Sequence, residues 1–154
     1  MRPLLDLHRF LGRTTQASAG RAHRPTTAGA TLEAMAHRIE DYAFVSNWRT
    51  GALISRDGSI DWLCLPRLDS PSVFGALLGT PENGRWSVRP AVARAVCSRH
   101  YLDDTMVLVT RWECADGIAE VHDFLPIDRE RGVDPGRIDV VRRIVGISGE
   151  VRLL

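Results

Sequence analysis

Lysine is missing altogether: the 20 basic residues are all arginine, set against 19 acids for a formal net charge of +1. So even a balance argues against nucleic acid or an anionic membrane surface as a whole-chain partner. The missing lysine reads as composition bias, although arginine also makes forked hydrogen bonds to carboxylates that lysine cannot. Cysteine is scarce as well. Cys64, Cys97 and Cys114 are an odd number spread among apparent strands, which fits buried thiols in a reducing, cytoplasmic compartment better than a disulfide framework. No apolar run approaches the roughly 20 residues that a membrane crossing needs. Pro3 to Leu7 is too short and interrupted for a signal-peptide core. His100 and His122 stand in no C-x-x-C or H-x-x-x-H spacing, so neither a metal nor a cofactor is predicted. Phosphate loops, serine-nucleophile elbows and basic-aromatic nucleic-acid patterns are also absent.

What is present suits one ordinary domain. The chain has 154 residues, 44% of them hydrophobic and 25% charged, enough to bury a core. Residues 1–31 carry five arginines and one acid, Asp6, and turn rich in Thr, Ala, Ser and Gly; they are predicted to be a disordered extension. Residues 32–154 form the predicted domain. Leu32, Met35, Ala36 and Ile39 recur at helical spacing behind a possible Thr31 cap, predicting one short entry helix.

The organising stretch runs from Ile54 to Pro71. Arg56-Asp57-Gly58 between two apolar runs predicts a β-hairpin with Gly58 at positive φ. A three-residue loop sets Ile54 against Ile60 and Ala52 against Trp62; a two-residue loop sets Ser55 against Ile60. The first register is preferred because it builds one continuous apolar face. Apolar residues on both faces then place the second strand between two layers. Ser70 and Pro71 look like a helix cap and first turn, predicting helix over Ser72–Leu78 with Val73, Phe74, Leu77 and Leu78 plugging the sandwich end. Ala115-Asp116-Gly117 repeats the hairpin signal, and a three-residue loop with Gly117 in αL sets Glu113 against Ala119 instead of Glu120. Strands are also predicted around Trp86 and Val88, over Val96–Leu102 and over Ile138–Ile147, with a polar loop at Arg129–Arg137. Val151-Arg-Leu-Leu154 reads as the opening of a further strand, so a fragment is expected. The fold class is mainly β: an antiparallel β-sandwich with one or two short helices, incomplete at its C-terminus.

Several collinear motifs carry a resemblance. Ile39-Glu-Asp-Tyr-Ala43, Arg56-Asp-Gly-Ser-Ile-Asp-Trp-Leu-Cys-Leu-Pro-Arg67, Asp69-Ser-Pro-Ser-Val-Phe74, Gly84-Arg-Trp-Ser-Val-Arg-Pro90, Arg99-His-Tyr-Leu-Asp-Asp-Thr105, Asp123-Phe-Leu-Pro126 and Arg142-Arg-Ile-Val-Gly-Ile-Ser-Gly-Glu150 resemble the start of the trehalase and glucoamylase-like enzymes of glycoside hydrolase family 15. The resemblance implies an N-terminal, supersandwich-like β-domain followed, beyond Leu154, by an (α/α) barrel holding both catalytic glutamates. The parent enzyme would invert α-glucosidic bonds of trehalose or maltodextrin, with this domain catalytically inert beside the barrel and a glucoside possible at the interface. Leu68 stands where the family usually has Phe. The alternative is a stand-alone carbohydrate-binding or protein-interaction module.

Inverting hydrolysis needs an acid and a base carboxylate about 6.5 to 9.5 Å apart. No such pair is legible here, so no catalytic residue is assigned; Asp57, Asp103 and Asp104 read as turn residues. Asp61 and Asp123 lie in apolar runs and are expected to be buried structural carboxylates held by hydrogen bonds or by an arginine, with Arg67, Arg111 and Arg142 as the possible partners. Trp62, Arg67 and Asp69 are the candidates for a substrate rim or domain interface, though Asp69 and Ser70 could simply cap the following helix. Trp48, Trp62, Trp86 and Trp112 are expected in the core.

Overall fold

The computed structural model describes residues 37–127 and 138–154. The predicted 1–31 extension, the cap at Thr31 and the Arg129–Arg137 loop lie outside them. Two antiparallel sheets face each other. The first contains β1 (Ala43–Ser46), β2 (Gly51–Ile54), β3 (Ser59–Cys64) and β4 (Ser72–Phe74) in that order, with β5 (Trp86–Ser87) beside β4 on the far edge of β3. The second runs β6 (Val96–Tyr101), β7 (Leu108–Cys114), β8 (Gly117–Phe124) and β9 (Val141–Gly149). Val45, Ala52, Ile54, Ile60 and Leu63 from one sheet meet Leu108 from the other and Leu125 just past the end of β8, and burying these side chains drives the stacking.

The first hairpin forms as expected at its tip. Gly58 has φ +82°, its N–H bonds to the Ser55 carbonyl at 3.0 Å, and Ile54 pairs with Ile60. Farther along, the expectation fails: Leu53 pairs with Trp62 and Ala52 with Leu63. Asp61 is the extra residue of a bulge, which turns Leu63 to the core and Trp62 to the other face. The polar side chain explains the irregularity, because its carboxylate accepts from Ser59 Oγ at 2.6 Å and Tyr42 Oη at 2.8 Å.

The second hairpin departs from expectation too. Its loop is Ala115-Asp116, and Gly117 is the first residue of β8, paired with Cys114. Glu113 therefore meets Ile118, and Arg111 meets Glu120 with a 3.0 Å ion pair. Opposite charges across the ladder favour this register over those with Glu113 near Glu120 or Ala119. Gly117 serves close approach instead of turn geometry, since a Cβ there would sit 2.5 Å from the Ser148 carbonyl oxygen.

No helix covers Ser72–Leu78. Ser72–Phe74 joins the edge of β3 as β4, and only Ala76–Leu78 makes a 3-10 turn. Seven residues are too few to hold a helix against an open ladder that β-formers Val73 and Phe74 can complete. Phe74 packs on the core, whereas Leu78 is 82% exposed and plugs nothing. The other helical pieces among the described residues are 3-10 turns at Ile39–Asp41 and Pro81–Asn83. At the end of the chain, where a further strand is expected to open, Leu153 makes only an isolated bridge to Pro90: Leu154 exchanges backbone bonds with Arg89 at 2.9 and 3.1 Å, and Arg152 O accepts from Ala91.

Side chains fasten the two sheets together. Arg99 of β6 donates to the Ile54 and Asp41 carbonyls, and Tyr101 Oη bonds both the N–H and the C=O of Phe44. Arg142 of β9 does most. It grips Asp123 with two bonds of 2.7 and 3.1 Å and donates to the carbonyls of Trp86 at 2.6 Å and Gly58 at 2.8 Å.

Candidate functional site

β1 and β2 are joined by a loop whose central residues are Trp48 and Arg49, closed by the Asn47 N–H on the Thr50 carbonyl at 3.3 Å. Trp48 has φ +72°, at the position where a two-residue hairpin loop ordinarily needs glycine. A bulky residue there is strained, and the strain persists only if the surroundings over-determine it. They do. Asn47 Oδ1 accepts from the Arg49 and Thr50 N–H groups, each at 3.1 Å, while Ser46 Oγ accepts from the Trp48 N–H at 3.1 Å and donates to the Thr50 carbonyl at 2.8 Å. Thr50 Oγ1 in turn donates to the Cys64 carbonyl at the exit of β3. Trp48 is left 83% exposed.

That exit loop supplies the facing wall. Arg67 Nε and Nη2 bind the two oxygens of Asp69 at 2.8 and 3.2 Å, a forked arrangement open to arginine alone among the cations. Hydrogen bonding from Arg67, and then its charge, hold the Asp69 carboxyl below its ordinary value. Ser70 does not cap a helix; its hydroxyl and N–H both bond back to Arg67 and close the loop. The Leu68 N–H bonds to the Arg49 carbonyl at 3.3 Å, tying the two loops together. Between them lies an open cleft of about 480 Å³ lined by Trp48, Arg49, Arg67, Leu68 and Asp69. On the other side of Trp48 a second hollow of about 830 Å³ is walled by Leu102, Met106, Phe124 and Ile127.

Of the three rim candidates, the fold brings Arg67 and Asp69 together and leaves Trp62 apart, half-buried in β3. Trp48, expected in the core, is instead exposed and lines the cleft beside them. A signal existed: Ser46-Asn47 before it and Gly51 after it are turn chemistry between two apolar runs. Trp112 is buried and Trp86 half-buried under the Arg142 guanidinium, 5.4 Å from the ring centroid.

Asp61 and Asp123 are both buried. Asp61 is held by hydroxyls and Asp123 by Arg142, while Arg111 instead spans Glu113 and Glu120 on the outer face. Glu120 is pulled below its ordinary value chiefly by the His122 hydrogen bond, with burial opposing and Arg111 adding to the fall. Among the described residues no group of three or more His, Cys, Asp or Glu is placed to hold a metal.

A family model described as trehalase-like, N-terminal, matches residues 29–152. The trehalase of Mycobacterium tuberculosis is 40% identical over 96 residues, covering 62% of this chain and 14% of that protein. The trehalase of Mycolicibacterium smegmatis is 39% identical over 110 residues, 71% of this chain and 16% of the relative. Trehalase 1 of Sulfolobus acidocaldarius is 39% identical over 102 residues, 66% and 18% respectively. The matched region thus spans under a fifth of the length of these relatives. No solved structure gives a significant match.

Proposed function

Because the chain belongs to the trehalase-like N-terminal family, we propose that it is the non-catalytic β-sandwich of a family 15 glycoside hydrolase, packed in the whole protein against an (α/α) catalytic barrel. The observation that carries this reading is the match over 29–152 to a segment that makes up only 14% to 18% of proteins named trehalase. Those names favour trehalose over maltodextrin as the parent substrate, cleaved with inversion. Two structural features add support. Asp61, Asp69, Asp123 and Glu120 are each engaged by a neighbour, which suits structural carboxylates better than an acid and base facing a sugar. β9 is the outer strand of its sheet, nine residues long, with Ile144 54% and Ile147 46% exposed, an edge of the kind that proteins usually cover. A cytoplasmic location is part of the same reading, supported by the free thiols of Cys64, Cys97 and Cys114.

The experiment is a glucose-release assay on the purified chain with trehalose and maltose. No turnover above the buffer rate is expected. Sustained release of glucose by this chain alone would overturn the reading.

A further inference from the structure

We propose that the larger hollow beside Trp48 is half of a dimer interface, filled by the arginine-bearing face of β9 from a second copy of this chain, so that two copies close about a two-fold axis. The hollow holds about 830 Å³, and the apolar residues Trp48, Leu102, Met106 and Ile127 of its lining are all exposed. Exposed apolar side chains scattered singly need no explanation; a contiguous set around a concavity marks a contact surface. The charged residues of the lining are Asp103 and Asp104. They sit in the loop between β6 and β7, which closes without their carboxylates: Thr105 N–H and Oγ1 both donate to the Leu102 carbonyl, Thr105 Oγ1 accepts from Val107 N–H, and Leu102 N–H donates to the Val107 carbonyl. Both acids are exposed, and neither meets a base among the described residues. Arg49 lies on the other side of Trp48, in the smaller cleft. An apolar hollow with two free negative charges is complementary to apolar side chains that carry a cation.

β9 offers that chemistry. From Val141 to Gly149 it holds two arginines and no acid. Arg142 turns inward to Asp123, and side chains alternate along a strand, so Arg143 points to the outer face. Arg143 is exposed and meets no carboxylate among the described residues, beside Ile144 and Ile147, exposed at the sheet edge. Its position allows closure. Phe124, a wall of the hollow, follows the inward-facing Asp123 and so lies on that same outer face; it pairs with Val141, two residues or about 7 Å along β9 from Arg143. Hollow and arginine are therefore neighbours, and one two-fold axis sets Arg143 of each copy against Asp103 and Asp104 of the other, its guanidinium stacked on the Trp48 indole. Arg94 is flanked by exposed Val92 and Val96 in a similar way. It lies at the opposite end of the sheet, where Val96 pairs with Glu113, and docking through it would give an open string of copies instead of a closed pair.

The proposal is independent of the hydrolase reading, since it concerns how this chain assembles and not what any chain cleaves. Sedimentation velocity on the 154-residue protein, from micromolar to millimolar concentration, tests it. A monomer–dimer equilibrium is expected, weakening as salt is added. Arg143→Glu should raise the dissociation constant at least about tenfold, and so, separately, should Asp103→Asn with Asp104→Asn. All three positions are exposed, and asparagine accepts the φ of +57° at position 104, so circular dichroism should be unchanged. Joining Arg143→Glu to Asp103→Arg and Asp104→Asn should recover association, because opposite charges face each other again. Arg94→Glu should leave the dimer intact. A wild-type chain that stays monomeric at millimolar concentration would overturn the proposal. So would species that grow beyond the dimer, a dimer indifferent to Arg143→Glu or to the asparagine pair, one weakened as much by Arg94→Glu, or a charge swap that recovers nothing.

Discussion

Replacing Arg142 with alanine should damage this fold more than any other single loss of a charged side chain. Arg142 and Asp123 are 1% and 2% exposed at their side chains, so Arg142→Ala strands a buried carboxylate. Breaking a buried ion pair from one side costs about 3–5 kcal/mol. The same substitution removes the cross-sheet donors to the Trp86 and Gly58 carbonyls, so the upper end of that range is expected. A domain of this size holds about 5–15 kcal/mol in all. With about 4 °C per kcal/mol for a chain near this length, that upper end is a fall in melting temperature of about 20 °C. Calorimetry and urea titration at pH 7 would measure it. A companion variant separates charge from packing: Arg142→Met combined with Asp123→Leu leaves no buried charge and should recover a large part of the loss. A fall of less than about 4 °C in the single variant would refute the clamp. A double variant as unstable as the single one would refute the electrostatic account of it.

Other outcomes follow from the same geometry. Tyr42→Phe leaves Asp61 with Ser59 as its remaining donor and should cost about 1–3 kcal/mol in urea titration; no change would mean that the bond contributes nothing. Burial, then the hydrogen bond to Asp61 and its charge, push the Tyr42 phenol above its ordinary value of 10.0. Its contribution is thus present below that value and fades as pH rises toward the folded one, so Tyr42→Phe should lose less stability than wild type on alkaline titration. Glu120 works in the opposite direction. Its folded value is depressed below 4.5, so its stabilisation is complete above 4.5 and is lost as pH falls through the lower value. The gap in melting temperature between wild type and Glu120→Gln should narrow from pH 7 to pH 3, and a constant gap would contradict the pairing. Gly58→Ala places a Cβ against the Val88 carbonyl at φ +82° and should lower stability by about 1–3 kcal/mol by thermal melting; a neutral result would remove the requirement for glycine.

Parts of this site could be read in advance and parts could not. Arg67 and Asp69 were legible as a charged loop just past a strand, and their pairing is local, two residues apart. Trp48 was not, because its strand-like neighbourhood said core while the turn bonds of Ser46 and Asn47 said surface. Only the second signal depends on which residues face each other across the hairpin. Arg142 shows the same limit. Its neighbours in the chain are polar or apolar in no telling order, and its four acceptor atoms come from Asp123, Trp86 and Gly58, up to 84 residues away.

By itself the sequence determined the strand-rich character, the Gly58 turn, the pairing of Ile54 with Ile60 and the family motifs, because turn chemistry and alternating apolar residues act over a few neighbours. Tertiary structure alone decided the Asp61 bulge, the two-residue loop before Gly117 and the addition of Ser72–Phe74 to a sheet edge. It also decided which tryptophan meets the Arg67–Asp69 pair. Each of these is a competition between local preferences of similar size, settled by what a carboxylate, a charge or an open ladder finds opposite it once distant strands have come together.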